Sequence, residues 1–238
     1  TIYSYLNQRS TIYDDNDKKI ETVFTEGGNR DNVPYEDLPE NLKNGIVAIE
    51  DKTFWDHHGF NFVRMAGAVK SSIFGGGQVS GTSTITQQLA RNIYLPDEKS
   101  NRDLNRKIRE AYFAVVIEKN LSKEQILEAY LNTIYLGFDS YGVEAASRSY
   151  FNKSVTKLDL LECAALCALP KSPDGYALVK TYNNGSVSVD DSNVLVENAS
   201  VQYVYNGDLK KSKERRDLTI RSMVDQGYLS QEDADKAL

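Results

Sequence analysis

Apolar residues recur three and four positions apart through most of this 238-residue chain, which is the spacing of amphipathic helices. Ser122 and Gln125 form a capping box at the start of one such segment, and Pro170 stops another. Strand and helix units do not alternate, so the pattern predicts a mainly α-helical core. Within that core, Cys163 and Cys167 lie four apart in an apolar run, which favours buried thiols over a metal pair or a disulfide.

Composition excludes some classes of protein. Hydrophobic residues make up 40% and charged residues 26% of the chain, as in ordinary globular domains. The formal net charge of -6 argues against general nucleic-acid binding, which favours basic domains. No run of about 18 apolar residues is present, so nothing in this sequence is expected to span a membrane.

The two ends of the chain differ from its middle. Residues 1–32 contain two short β-rich runs around a polar turn, which predicts an N-terminal β-hairpin and linker. Residues 33–238 are expected to form the main domain. Within it, a polar stretch at about 180–208 with alternating valines and tyrosines predicts a surface insertion with some strand.

A first candidate site follows the apolar run 46–49, where Glu50 and Asp51 are succeeded by Phe54, His57 and Gly59. Partial desolvation raises the pKa of a carboxyl group and suits it to proton transfer. An acidic helix end followed by an aromatic loop would explain the same residues equally well. The stretch alone leaves both interpretations open.

Residues 60–74 are apolar with scattered cations and run into three glycines. A core helix that ends at a glycine C-cap is one interpretation. An amphipathic segment that lies on a bilayer surface is the other.

A second candidate site is rich in small hydroxyl residues and amides. Ser83 and Thr84 precede a helix that is predicted to begin near 84–86, where free N–H groups and hydroxyls could bind a sugar or an oxyanion. The neighbouring amides of Gln87 and Gln88 are poor core residues and good partners for hydroxyl groups.

A third candidate site is a charged helix face. Arg102, Arg106 and Glu110 lie four positions apart, with Arg109 beside them and apolar residues on the opposite side. Charge runs are usually solvated surfaces. The arginines exceed what one glutamate needs, however, and guanidinium groups bind phosphate oxygens in pairs, so a diphosphate ligand is predicted.

Taken together and in order, these stretches closely resemble the peptidoglycan glycosyltransferase domain of class A penicillin-binding proteins and their monofunctional relatives, glycosyltransferase family 51. Five signatures over residues 46–170 carry the resemblance. They are Glu50-Asp51-x-x-Phe54-x-x-His57-x-Gly59, Gly81-x-Ser83-Thr84-x-Thr86-Gln87-Gln88-Leu89, Arg106-Lys107-x-x-Glu110, Ile126-Leu127-Glu128-x-Tyr130-Leu131-Asn132 with Gly137, and Ala145-Ala146-x-x-x-Tyr150-Phe151.

The resemblance implies a mainly α, two-lobed, lysozyme-like domain with a cleft between the lobes. It implies polymerisation of lipid II, a diphosphate-linked disaccharide-pentapeptide, into β-1,4-linked glycan with inversion at the anomeric carbon and release of undecaprenyl diphosphate. It moves the interpretation of residues 60–79 toward lipid contact. The expected location is the extracytoplasmic face of the bacterial cytoplasmic membrane, with an N-terminal transmembrane anchor outside this sequence.

The resemblance also implies roles for individual residues. Glu50 matches the general base, and Glu110 matches a second glutamate that assists the departing diphosphate directly or through a divalent cation, Mg²⁺ or Mn²⁺. The remaining candidates are substrate-binding positions: Asp51, Phe54, His57, Ser83, Thr84, Gln87, Gln88, Arg91, Arg102, Arg106, Arg109 and Asn132. Asp51, Phe54 and His57 are expected to support the base, and His57 is not expected to be a proton shuttle or a metal ligand.

Two positions depart from the family pattern, because Thr82 stands where glycine is usual and Arg91 where lysine is usual. The chain has no Ser-x-x-Lys motif of a transpeptidase, so cross-linking is expected to lie in a further C-terminal domain or to be absent. Two alternatives to polymerisation stay open here, a lysozyme-like glycan-cleaving enzyme and a non-catalytic module that binds lipid II.

Overall fold

The structure is a computed structural model, and it describes residues 10–13, 19–23, 31–61, 83–96, 104–183, 194–197, 201–205 and 209–238. Helices dominate these residues, as the sequence predicts. They are α1 (Glu40–Glu50), α2 (Ile85–Tyr94), α3 (Leu104–Asn120), α4 (Lys123–Thr133), α5 (Val143–Phe151), α6 (Leu160–Ala168), α7 (Pro173–Tyr176), α8 (Leu209–Asp225) and α9 (Gln231–Ala237). No helix among them is both long and apolar enough to cross a bilayer.

Five short strands accompany the helices: β1 (Ser10–Tyr13), β2 (Lys19–Val23), β3 (Val179–Asn183), β4 (Val194–Glu197) and β5 (Val201–Tyr205). Strand β1 pairs antiparallel with β2, and β5 pairs antiparallel with both β3 and β4. The division into an N-terminal appendage, residues 1–32, and a main domain with an insertion stays a prediction. The apolar segment expected to contact lipid lies outside the described residues from residue 62 onward.

Helix α1 lies at the centre of the helical packing, because it contacts both α6 and α8. It begins directly after Pro39, and its predicted face is buried, with Leu42, Ile46 and Val47 at 2% exposure or less. A Cβ atom at Gly45 would lie 3.0 Å from the Cys167 sulfur, so the glycine permits the close approach of α1 and α6.

Cys163 and Cys167 are free, buried thiols on α6, as the helical spacing predicts. Burial raises the pKa of the Cys167 thiol well above its ordinary value, which keeps it protonated and unreactive. The two cysteines therefore act as small apolar residues at the contact with α1.

Helices α2, α3 and α4 pack together beside α1. Capping boxes begin both α2, at Thr84 and Gln87, and α4, at Ser122 and Gln125. The side-chain amide of Asn132 on α4 bonds both backbone groups of Val33, each at 2.9 Å. This pair of bonds fixes the extended segment that leads into α1.

The orientation of α3 is not that of an ordinary amphipathic helix. Its charged residues Arg106 and Glu110 are buried, at 4% and 0% exposure, whereas Ile108 and Tyr112 on another face are 60% and 65% exposed. The interpretation of the charged face as a solvated surface is therefore wrong. A buried charged face requires partners, and these lie at the candidate site.

Candidate active site

Glu50 is the last residue of α1, and its side chain is only 12% exposed. Both carboxylate oxygens have a donor from another helix. Arg215 on α8 reaches Oε1 from 3.2 Å, and the Nε2 amide of Gln88 on α2 donates to Oε2 over 3.0 Å. The guanidinium group and the amide N–H hold both oxygens of the carboxylate in a fixed position, which a positioned base requires. Each oxygen keeps a lone pair for a further donor.

Gln88 is itself held by a second residue. The Tyr130 hydroxyl on α4 donates to Oε1 of Gln88 over 3.0 Å. Because burial raises the pKa of Tyr130 well above its ordinary value, this hydroxyl stays protonated. Three helices therefore contribute to the surroundings of one carboxylate.

Asp51 and His57 form a buried framework behind Glu50. The Gly59 N–H donates to His57 Nδ1, so the Nε2–H is the atom that donates to Asp51 Oδ2, over 2.8 Å. The same Asp51 oxygen accepts the Ile85 N–H at 3.0 Å, at the start of α2. This hydrogen bonding supports the prediction that His57 is neither a proton carrier nor a metal ligand.

The loop that carries this framework packs tightly on α3. Gly59 has φ near +98°, and a Cβ there would meet the backbone of Ala114 at 3.0 Å, so only glycine fits. Phe54 is fully buried, with the Lys123 ammonium 4.6 Å from the centre of its ring.

The start of α2 is occupied by the protein's own groups. Thr84 Oγ1 donates to the Gly59 carbonyl and accepts the Gln87 N–H, while Gln87 Oε1 accepts the Thr84 N–H. The Ile85 N–H is bound by Asp51. The Thr84, Ile85 and Gln87 N–H groups at this helix end are therefore bonded within the protein, which leaves fewer donors for a sugar or an oxyanion than the sequence predicts.

Glu110 lies at the second acidic centre and is fully buried among cations. Lys107 Nζ lies 2.8 Å from Oε2, while Arg106 Nε and an Arg91 nitrogen lie 3.2 Å and 3.7 Å from Oε1. Lys107 also donates to the Ser83 hydroxyl over 3.0 Å. Three cations around one carboxylate leave an excess of positive charge, which can bind an anion.

A polar cavity of about 400 Å³ is lined by residues that contact both acidic centres. Gln88, which binds Glu50, contributes to its lining, as do Arg91 and Arg106, which flank Glu110. The rest of the lining consists of the amide of Asn92 and of more apolar residues: Ile134, Tyr135, Tyr141, Pro170 and Pro173. The cavity can therefore hold a ligand with both an anionic part and an apolar or ring-shaped part.

The predicted substrate-binding residues differ in whether they line the cavity or are buried inside the protein. Gln88, Arg91 and Arg106 line the cavity, and Ser83 accepts a hydrogen bond from Lys107, which flanks Glu110. Five others are buried with partners inside the protein, so a direct contact with substrate stays a prediction for them: Asp51, Phe54, His57, Thr84 and Asn132.

Of the remaining candidates, Gln87 has a capping role, Arg109 is exposed on α3, and Arg102 lies outside the described residues. Sequence reasoning did not single out Arg215 or Lys107 as site residues. Lys107 stands next to Arg106 in the third signature, so the motif could have indicated it. Arg215 belongs to no signature and lies 165 positions from Glu50.

A divalent cation at Glu110 is not supported by the protein donors around it. A single carboxylate faces three cations there, whereas Mg²⁺ and Mn²⁺ prefer several oxygen ligands. Nowhere in the described ranges are three His, Cys, Asp or Glu side chains grouped to hold a metal ion. We therefore assign no step to a metal.

A carboxylate held by donors and a cluster of cations, both in contact with residues that line one cavity, are what a transferase needs to activate a hydroxyl group and release an anionic leaving group. The transglycosylase family model matches residues 16–199. The chain therefore belongs to the transglycosylase family, and the resemblance to peptidoglycan glycosyltransferase domains is confirmed.

Individual relatives agree with the family. Penicillin-binding protein 1A of Clostridium acetobutylicum is 48% identical over 177 residues, 72% of this chain and 22% of that protein. Penicillin-binding protein 1A of Clostridium tetani is 39% identical over 236 residues, 98% of this chain and 26% of that protein. The chain thus spans about a quarter of the length of these relatives.

Among solved structures, the crystal structure of penicillin-binding protein 1A from Haemophilus influenzae matches 98% of this chain and 20% of its own, with 25% sequence identity and a TM-score of 0.45.

Proposed function

We propose that this chain polymerises lipid II into β-1,4-linked glycan. The observation that carries the proposal is the paired donation to Glu50, from Arg215 to Oε1 and from Gln88 to Oε2. In the proposed step, Glu50 takes the proton from the 4-hydroxyl of the acceptor sugar. The resulting oxygen attacks the anomeric carbon, forms the new glycosidic bond with inversion, and expels undecaprenyl diphosphate.

The cation cluster stabilises the departing diphosphate. Negative charge develops on the leaving group as its bond to the sugar breaks, and donors already fixed in place stabilise that charge most effectively. Arg91 and Arg106 face the cavity, and Lys107 completes the cluster. Because Glu110 is fully buried among these side chains, its role is to hold the cations in position rather than to touch the sugar.

The environment of Glu50 favours transfer over hydrolysis. A lysozyme-like hydrolase needs a protonated carboxyl group to donate to the leaving oxygen. Both oxygens of Glu50 instead accept from donors, Arg215 and Gln88, which supports the role of a base rather than that of an acid. A neutral glycan also has no use for a cluster of three cations.

We also propose contact with the bacterial membrane surface, on its extracytoplasmic side. Ile108 and Tyr112 lie exposed on α3, the helix that carries Arg106 and Lys107. Tyrosine and aliphatic side chains beside basic residues form the usual composition of a surface at the lipid boundary. Lipid-linked substrate would then approach the cation cluster from the bilayer.

The test is incubation of the purified chain with lipid II, followed by gel analysis of product length, with and without a divalent cation. We expect polymer from the wild-type chain and none from Glu50→Gln, with the helical circular dichroism unchanged. Polymer formed by Glu50→Gln at the wild-type rate would refute the proposed base. Release of short glycan from preformed polymer would instead identify a hydrolase.

A further inference from the structure

We propose that Tyr130 is a positioning residue for the base, because its hydroxyl fixes the amide of Gln88 and thereby keeps an N–H donor on Glu50. The inference rests on the proposed function, since it concerns the same proton transfer. It gives a chemical role to a tyrosine that acts on Glu50 only through the side chain of Gln88.

The geometry is that of a three-residue relay. Tyr130 donates its hydroxyl to Gln88 Oε1 over 3.0 Å, and Gln88 donates Nε2 to Glu50 Oε2 over 3.0 Å. A side-chain amide carries its acceptor and its donor on opposite sides of one carbon, so binding one atom selects which atom faces the other way. With Tyr130 bound to the oxygen, the nitrogen must face Glu50.

Burial makes the relay rigid. Tyr130 has no exposed surface, and Gln88 is 9% exposed. Desolvation, with the nearby charge of Glu50 adding to it, raises the pKa of Tyr130 well above its ordinary value. The phenol therefore stays protonated and keeps its O–H as a donor to Gln88.

A fixed amide affects the protonation of Glu50. The donor favours the carboxylate, and after Glu50 has taken a proton Gln88 cannot offer an oxygen to hold that proton. The relay therefore favours the base form before the reaction and loss of the proton after it. Without the phenol hydroxyl, Gln88 is free to reverse, and its oxygen then stabilises protonated Glu50.

Other ionisable groups around the relay remain unchanged when only the phenol oxygen is removed. They are Arg215 from α8, Arg91 from α2, Asp51 after α1 and Cys167 from α6. A change in pH dependence after Tyr130→Phe therefore reports the orientation of Gln88.

The first experiment measures kcat and KM on lipid II across a pH series for the wild-type chain and Tyr130→Phe. In a plot of kcat against pH, we expect the acidic limb, where kcat falls as the pH is lowered, to move to higher pH by about 0.5 to 1 unit. A movement of this size corresponds to the free energy of about one hydrogen bond. The loss of kcat is expected to be largest on the acidic limb, and KM is unchanged. An acidic limb at the wild-type position would overturn the proposal.

Tyr150→Phe is the matched control. The Tyr150 side chain is partly buried, and its hydroxyl donates to the Leu136 carbonyl over 2.9 Å, away from the relay. Both variants lose one hydrogen bond of a tyrosine hydroxyl, so a comparable loss of thermal stability is expected. Only Tyr130→Phe is expected to move the acidic limb, and an equal movement in both variants would indicate a purely structural effect.

A double substitution tests whether Tyr130 acts through Gln88. Gln88→Met removes the amide, and Tyr130→Phe added to it is expected to cause no further movement of the acidic limb. An additional movement equal to that of Tyr130→Phe alone would show that the phenol acts by another route.

A second readout does not require turnover. Carbon-13 NMR of labelled glutamate carboxyl groups reports the titration of Glu50, whose signal is identified by its loss in Glu50→Gln. The midpoint is expected to move to higher pH in Tyr130→Phe. If the wild-type chain makes no glycan, the proposed function fails while this midpoint still tests the relay. If the chain makes glycan and the midpoint does not move, only the relay fails.

Discussion

Arg215 and Glu50 are 165 positions apart in the sequence, yet a guanidinium nitrogen lies 3.2 Å from the carboxylate oxygen Oε1. Their side chains are 11% and 12% exposed, so water screens the interaction only weakly. The contact joins the C-terminal end of α1 to α8, a helix that contains no signature residue. The contact makes α8 a part of the candidate active site.

Replacing Arg215 by methionine should reduce turnover and change its pH dependence. The cation favours the carboxylate form of Glu50, so its loss lets Glu50 take up a proton at higher pH. The acidic limb of the pH–rate profile is therefore expected to move upward, with at least a tenfold loss of kcat at neutral pH. Measurement of kcat between acidic and neutral pH checks this.

Arg221→Met is the control for that variant. Arg221 lies on the same helix but is exposed, so the same loss of charge should leave the pH–rate profile unchanged. An identical movement in both variants would mean that the net charge of α8, rather than the contact with Glu50, is responsible.

Arg106→Met is expected to weaken binding of a diphosphate-lipid much more than binding of a free disaccharide. The guanidinium group faces the cavity beside Glu110, and a bidentate contact with phosphate is lost in the variant. About a tenfold loss for the diphosphate ligand is expected, and less than twofold for the disaccharide. Binding titrations with both ligands measure these losses of affinity. Equal losses for the two ligands would contradict the assignment of the diphosphate site.

The helices and most of the residues at the two acidic centres could be predicted from the sequence, because periodicity, capping boxes and motif spacing are local signals. Contacts between distant segments could not. Near Arg215 the chain reads Lys210-Lys211-Ser212-Lys213-Glu214-Arg215-Arg216, and no local pattern shows which cation turns inward. Periodicity shows which residues of α3 share a face, but it does not show which face is buried. Ile108 lies on the apolar face opposite the arginines, and only the packing of the helices shows that this residue is exposed.

Asp51→Ala is expected to destabilise the fold by about 2–4 kcal/mol, because it leaves the Ile85 N–H and His57 Nε2–H without their shared acceptor. Asp51→Asn keeps an acceptor oxygen at that position and should cost less. Asp56→Ala, at an exposed site five residues away, should change the free energy of unfolding by no more than about 0.5 kcal/mol. Urea unfolding monitored by circular dichroism measures all three. A loss in Asp51→Ala as small as that in Asp56→Ala would contradict the framework role.

Replacing Ile108 and Tyr112 together by serine should reduce binding to phosphatidylglycerol–phosphatidylcholine vesicles. The two side chains are 60% and 65% exposed on α3, and moving them from water to lipid stabilises the bound state. We expect about a tenfold loss of vesicle affinity in a sedimentation assay, with little change in thermal stability because neither side chain is buried in the fold. Leu218→Ser is the control, since Leu218 is 44% exposed on α8. If the control loses as much affinity as the double variant, the contact is not specific to α3. If neither variant loses affinity, the bilayer is bound by another part of the chain.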